Sequence, residues 1–336
     1  MSVEAAVQDE GLVIPVTPRT RPPPPRFSLT PSERADTAVA ILRGFQTAGF
    51  IYLRSPPSPA PSAVRDIFAR SAAFFAQPLA DKLALSLTDA AANRGYLRQG
   101  RERLIPDGGD GNVPDVLELK ESLEIGREPH ESFRNHWPAE AALPGFREEA
   151  MAFFETCKGL HVQVMRAVAV GMGLEDRHFD GYVDKGDNTL RLLHYPEVKA
   201  DVFKANAGQV RAGEHSDYGS ITLLFQDDRG GLQVRSPSGR FVDATPIPGT
   251  IVVNAGDLLA RWSNDTIKST VHRVVEPPHA ADVDVYPPRY SIAYFCNPNS
   301  DSLIEAMPGT YANESDKKYG PILSGEYLIQ RLAPTY

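Results

Sequence analysis

The chain has 336 residues, 42% of them hydrophobic and 23% charged, proportions that suit a globular protein with a sizeable core. Lys and Arg number 35 against 43 Asp and Glu, a formal charge of −8 with no dense basic block. That balance argues against a nucleic-acid polymer as partner, though not against a free base, and no stretch approaches the roughly 20 apolar residues that span a bilayer. The acidic N-terminus lacks the basic start and apolar run of a signal peptide. Cys157 and Cys296 are too few for a disulfide framework. Both observations predict a cytoplasmic, reducing setting with two packed thiols.

Residues 1–30 read as a flexible lead-in, and the run from Pro18 to Arg26 reads as an extended polyproline II linker. Residues 31–185 read as a helix-rich region. Pro31-Ser32-Glu33-Arg34 opens a helix with Val39, Ile41, Leu42 and Phe45 at helical spacing. Phe50 to Leu53 reads as a short buried strand. Further helices are predicted over 61–76 and 144–172, the second with Phe153, Phe154, Cys157, Leu160, Val164 and Ala167 on one face. Gly, Pro and charge over 97–140 predict long loops.

Residues 186–300 change texture. Short β-like runs (Leu190 to Tyr195, Ile221 to Phe225, Leu232 to Arg235, Phe241 to Ala244, Thr250 to Asn254, Val271 to Val275 and Tyr290 to Phe295) alternate with Gly-, Pro- and Ser-rich turns. Many short strands with regular turns predict an antiparallel sandwich or barrel. Residues 301–336 read as a C-terminal helical extension with a helix over 320–332. There is no internal repeat.

His215-Ser216-Asp217 lies on a strand-like stretch, where side chains two apart share a face and can reach one ion. His272 sits in a later strand. Two imidazoles and a carboxylate make the facial triad of non-haem iron(II) oxygenases, with positions left for a chelating 2-oxo acid and for dioxygen. By itself the pattern also fits a satisfied barrel histidine and a surface one. The strand from Pro288 to Asn297 adds to it, because alternation puts Arg289, Ser291, Phe295 and Asn297 on one side. A guanidinium and a hydroxyl two residues apart suit a carboxylate such as the far end of 2-oxoglutarate; the alternative for Arg289 is a structural ion pair. In the strand Leu190 to Pro196, Arg191, Leu193 and Tyr195 share a face and His194 takes the other. Tyr195 can help hold the co-substrate carboxylate. Arg191, a charge inside the barrel, is either paired with a carboxylate or presented to substrate. His194 reads as structural, His130, His136, His161, His178 and His279 lack ligand spacing, and Asp227-Asp228 read as turn residues.

These motifs resemble the isopenicillin N synthase-like family of iron(II)/2-oxoglutarate oxygenases. Gly44-Phe45-Gln46-Thr47-Ala48-Gly49-Phe50 is similar to its N-terminal segment, Arg94-Gly95-Tyr96 and Lys120-Glu121 to its middle, and His215-x-Asp217, His272 and Arg289-x-Ser291 to its core. Val16-Thr17-Pro18 departs from the family's usual Ile-Asp. The resemblance implies an α+β fold with a mainly β core, a double-stranded β-helix (jelly roll) with an N-terminal helical region and a C-terminal helix. It implies Fe(II) on His215, Asp217 and His272, 2-oxoglutarate on Arg289, Ser291 and Tyr195, dioxygen as oxidant and stimulation by ascorbate.

Over Leu190 to Pro196, Gly208 to Val234, Val253 to Pro278 and Pro288 to Pro298 the likeness is longest to the branch of that family acting on thymine. It implies oxidation of the thymine methyl group to 5-hydroxymethyluracil and onward to 5-formyluracil and uracil-5-carboxylate, with release of succinate and CO2, in pyrimidine salvage. Residues matching Arg191, Tyr218, Phe295 and Asn297 surround the pyrimidine in that branch. A ring suits Phe295, an imide edge suits Asn297, and Arg191 can donate to a ring carbonyl. For Phe295 the plain alternative is core packing, and strict alternation turns Tyr218 away from the metal unless a bulge follows Asp217. The implied partner is a small molecule, a free pyrimidine base, with no nucleic-acid polymer, no membrane and no obligate protein partner. The alternatives are a hydroxylase of another small molecule such as a secondary metabolite, a zinc hydrolase, which gives Arg289-x-Ser291 no role, and a non-catalytic jelly-roll binding module.

Overall fold

The computed structural model describes residues 5–9, 12–17, 31–54, 56, 58–101, 118–205, 209–276 and 284–333. Strands β1 (Ala5–Asp9) and β2 (Leu12–Pro15) pair as an antiparallel hairpin, followed by helix α1 (Pro31–Thr47). Next come β3 (Phe50–Arg54), α2 (Pro61–Phe75), α3 (Leu79–Leu83), β4 (Gly95–Leu97) and β5 (Glu121–Gly126). The long helix α4 (Phe146–Gly171) and the short α5 (Asp180–Val183) precede β6 (Thr189–Tyr195), β7 (Val198–Lys199) and α6 (Asp201–Ala205). Five strands then follow in close succession, β8 (Ala212–His215), β9 (Ile221–Gln226), β10 (Leu232–Arg235), β11 (Phe241–Asp243) and β12 (Thr250–Ala255). After α7 (Asp257–Trp262) come β13 (His272–Val274), β14 (Val285–Tyr286), β15 (Arg289–Cys296), β16 (Leu303–Ile304), β17 (Ile322–Leu323) and α8 (Ser324–Leu332).

Two antiparallel sheets form the jelly roll. The larger runs β3-β12-β9-β15-β6-β5-β4 and the smaller β11-β10-β13-β8. Period-2 alternation gives the larger sheet two buried faces. One face carries Leu190, Leu192, Ile221, Leu223, Ile251, Val253, Ile292 and Tyr294 towards the helices. The other carries Leu193, Tyr195, Val252 and Ala293, which meet Ala212, Leu232, Val234 and Val274 of the smaller sheet. Helix α4 lays a stripe of Phe146, Phe153, Phe154, Cys157, Leu160, Val164 and Val168 on the first face. Phe154 meets Tyr294 edge-on at 5.0 Å and Phe153 meets Phe225 at 5.2 Å.

A polar knot sits in this otherwise apolar layer. Glu121 accepts from Lys82 Nζ at 2.8 Å and the Tyr96 hydroxyl at 2.5 Å, and pairs with His194 Nδ1 at 2.8 Å. Burial pushes the Glu121 carboxyl up, but hydrogen bonds from His194, Lys82 and Tyr96 outweigh it and hold the group below its ordinary value. His194 also stacks on Tyr290 at 4.6 Å, a structural role.

The helices predicted at 31, 61–76, 144–172 and 320–332 are present, and Cys157 and Cys296 are free and buried. Two expectations are corrected. The 97–140 segment is not all loop: β4 and β5 close one end of the larger sheet. In Glu121-Ser122-Leu123-Glu124-Ile125-Gly126 all six residues are buried, and its two glutamates, each with a cationic partner, disguise the strand. The lead-in is not loose throughout: Ile14 and Val16 are buried between the sheets, and Thr17 N–H donates to Tyr52 O at 2.8 Å. The polyproline run lies outside the described residues. Among the described residues no helix is long and apolar enough to cross a membrane.

Truncating Phe154 to Ala leaves a cavity under Tyr294. The expected cost is about 3–5 kcal/mol, read as a lower denaturant midpoint at unchanged slope.

Candidate active site

The smaller sheet brings together the two histidines that could hold a metal. β8 ends at His215, β13 begins at His272, and the two residues are directly opposite in the antiparallel register. Their rings lie 4.3 Å apart, centroid to centroid. Asp217 follows two residues after β8, in the 216–220 connection. The expectation of strand alternation is therefore corrected, since it is this loop that turns the carboxylate back to the histidines. Asp217 Oδ1 lies 3.9 Å from His215 Nε2 and 3.8 Å from His272 Nε2, and the three ligand atoms fall within 4.8 Å of one another.

The other atoms of each group are committed. His215 Nδ1 bonds Gly213 O at 2.8 Å and His272 Nδ1 bonds Thr270 O at 3.2 Å. A carbonyl only accepts, so each Nδ1 carries a proton and Nε2 is the ring atom available to a metal. Asp217 Oδ2 accepts from Thr222 Oγ1 at 2.5 Å and Asn254 Nδ2 at 2.7 Å, leaving Oδ1 towards the imidazoles. Thr222 and Asn254 are register partners on β9 and β12. Burial and the neighbouring His272 push the His215 imidazole down and keep it neutral. Burial pushes the Asp217 carboxyl up, but His272, His215 and the two donors outweigh it and keep it ionised. Two imidazoles and one carboxylate converging on one side of a gap fit an iron(II) ion.

Glycine at 256 permits the close approach behind this loop: a Cβ there would lie 2.4 Å from Gly219 O and 3.0 Å from Asp217 O. The N–H groups of Asp257 and Leu258 then donate to Asp217 O and Tyr218 O, at 2.8 and 3.1 Å. The Asp257 side chain accepts from Ser269 at 2.5 Å and Ser216 at 3.1 Å, and pairs with Arg331 of α8 at 3.3 Å. The sequence reading missed Thr222, Asn254 and Asp257. Thr222 and Asn254 left a signal, as polar residues at inward positions of apolar strands.

Arg289 is 1% exposed. It donates to Gly230 O at 2.9 Å, to Ser291 Oγ at 3.2 Å and to Gln226 Oε1 at 3.5 Å, and its guanidinium lies 4.8 Å over the Tyr195 ring. Every acceptor is neutral, and no carboxylate pairs with Arg289 among the described residues. Arg191 is different: Glu124, its register partner on β5, pairs with it at 2.7 Å, and the guanidinium lies 5.2 Å over Phe295. Asn297 Nδ2 donates to Asp187 O at 2.8 Å, and its Oδ1 abuts Gly219 beside the metal loop. Tyr218 is half-buried, with Arg331 4.6 Å over its ring.

Residues 186–298 match the 2OG-Fe(II) oxygenase superfamily, and residues 24–140 match the N-terminal region described as non-haem dioxygenase in morphine synthesis. A 2-oxoglutarate-Fe(II) type oxidoreductase of Metarhizium rileyi is 34% identical, with 87% of this chain and 83% of that one covered. The chain belongs to the 2-oxoglutarate- and iron(II)-dependent oxygenases. A proline hydroxylase of Petromyces alliaceus is 36% identical over 86% of this oxygenase and 90% of the relative. The crystal structure of Neurospora crassa thymine 7-hydroxylase with α-ketoglutarate and thymine is 57% identical, covers 99% of this chain and 100% of its own, and superposes with a TM-score of 0.91. An oxygenase-family structure from Caulobacter crescentus is 31% identical over 90% of this chain and 95% of its own, with a TM-score of 0.76. The oxygenase therefore uses Fe(II), 2-oxoglutarate and dioxygen.

Replacing Asn254 by Leu removes one donor from Asp217 without touching a ligand. The expected result is a metal affinity weakened by about 10- to 100-fold, measured by Mn(II) titration, with the protein still folded.

Proposed function

We propose that this oxygenase hydroxylates the methyl group of thymine to 5-hydroxymethyluracil and continues to 5-formyluracil and uracil-5-carboxylate, releasing succinate and CO2 at each round. The observation that carries the reading is the 57% identity over 99% of the chain to a thymine 7-hydroxylase crystallised with thymine. The onward oxidations are supported by the same protein's complex with 5-formyluracil. Acting on a free base, the enzyme would serve pyrimidine salvage in the cytoplasm.

In this reading His215, Asp217 and His272 hold the metal. Arg289 and Ser291, helped by Tyr195, take the distal carboxylate of 2-oxoglutarate. Bound iron with 2-oxoglutarate and dioxygen supplies the power to insert oxygen into a C–H bond. The chain's own work is to bind, orient and exclude. Phe295 offers a face to the pyrimidine, Arg191 and Asn297 offer donors to its carbonyl edge, and Tyr218 borders the ring from the metal loop. The Glu124 carboxylate offsets the charge of Arg191, which suits a neutral heterocycle better than an anion. A second reading, oxidation of another small molecule, is favoured by relatives such as the Petromyces alliaceus proline hydroxylase.

Iron-loaded protein with 2-oxoglutarate, ascorbate and oxygen should form succinate several-fold faster with thymine than without, and the product should gain the mass of one oxygen. Succinate that thymine does not accelerate would sink the thymine assignment and leave the second reading. Arg289→Ala should weaken 2-oxoglutarate by about 10- to 100-fold and leave Mn(II) affinity within about threefold; equal loss of both would remove Arg289 from the co-substrate site.

A further inference from the structure

Arg211 stands immediately before β8 and is fully buried, at 0% exposure. Its backbone N–H donates to Val274 O at 2.8 Å, which fixes its place at the edge of the smaller sheet. Its Nη2 donates to Pro287 O at 3.2 Å, whereas Nε and Nη1 have no hydrogen-bond partner. No carboxylate pairs with it among the described residues. A buried cation with idle donors is costly unless something anionic completes it.

The surroundings narrow what that anion is. Pro287 lies two residues before Arg289, so the Arg211 guanidinium reaches the start of β15, where Arg289 also turns inward. After burial, the charge of Arg289 is the next influence disfavouring protonated Arg211; Tyr195, the Asp227 carboxylate and Tyr286 favour it from further off, Asp227 without pairing to it. Two guanidiniums thus enter one region from facing sheets, and among the described residues neither is ion-paired with a carboxylate. Arg211 also precedes His215 by four residues, just before the strand that leads to the metal gap.

We propose that Arg211 is a second arginine of the pocket for the distal carboxylate of 2-oxoglutarate, so that this carboxylate takes donors from both sheets. The assignment rests on the reading of Arg289 above. It gives the two idle nitrogens an acceptor and gives a pair of like charges the anion that makes their proximity tolerable.

The test titrates Mn(II)-loaded full-length protein, which binds without turnover, with 2-oxoglutarate and with pyruvate, which keeps the 2-oxo acid and lacks the distal carboxylate. Calorimetry reads the ratio of the two affinities. Arg211→Gln and Arg211→Met should each weaken 2-oxoglutarate by roughly 10- to 100-fold and leave pyruvate within about threefold, with Arg211→Lys in between. Removing an uncompensated buried cation should leave the melting temperature without ligand at or above that of the parent, which shows that the variants fold. A Gln or Met variant that keeps the parent's preference for 2-oxoglutarate, or loses both ligands equally, overturns the assignment. A parent protein that does not prefer 2-oxoglutarate to pyruvate overturns the Arg289 reading itself, and this assignment with it.

Discussion

A carboxylate buried beside two imidazoles is the constraint around which the rest is arranged. Asp217 is ionised where solvent does not reach, and its cost has to be met by neighbours held in fixed places. Oδ2 takes a hydroxyl from β9 and an amide from β12, both on the larger sheet. The imidazoles facing Oδ1 come from β8 and β13, on the smaller sheet. The metal gap is therefore defined only when the two sheets stack in register. The apolar layer between them, Leu193, Val252 and Ala293 against Leu232, Val234 and Val274, fixes the position of the ligands as much as it stabilises the fold.

The same two strands set a polarity across the site. In the register of β6 and β15, Tyr195 faces Arg289 at one end and Arg191 faces Ala293 four residues away, about 13 Å along the strand. At the first end the guanidinium meets only neutral oxygens. At the other, Glu124 offsets the charge from the next strand over. An anionic group gains most at the first end, where no carboxylate competes, and the second end is better matched to a neutral one. This explains why two arginines on one face of one sheet, alike in sequence, have opposite environments. Their difference lies in β5, a strand that the sequence reading took for loop.

What the sequence made legible follows from period and chemistry. Alternation alone put Arg289 with Ser291 and separated His194 from Arg191, because strands buried on both faces still obey a period of two. The long apolar stripe of α4 was legible for the same kind of reason. What escaped depends on tertiary compensation. Glu121 and Glu124 read as loop residues because their partners, Lys82, Tyr96, His194 and Arg191, lie up to 73 positions away in the chain and cannot be paired by inspection. Asp217 was matched to His215 by strand spacing, whereas the loop geometry that brings it there depends on glycine at 256, a residue in another element.

Asp257 shows how far the site's support extends. Its backbone holds the carbonyl of Asp217, and its side chain gathers Ser216 from the metal loop, Ser269 from the approach to β13, and Tyr327 and Arg331 from α8. Arg331 also covers Tyr218, one residue beyond the ligand. One carboxylate thus joins both ligand-bearing segments to the C-terminal helix. Loss of α8 would strip two donors from Asp257 and a cation from Tyr218 while leaving every metal ligand in place. The helix is also anchored by Tyr327 and Leu328 on the apolar core and by Ser324 and Gly325 N–H on the carbonyls of Ser302 and Ser300, so the polar contact at Asp257 links the metal loop to a segment that is itself held in place.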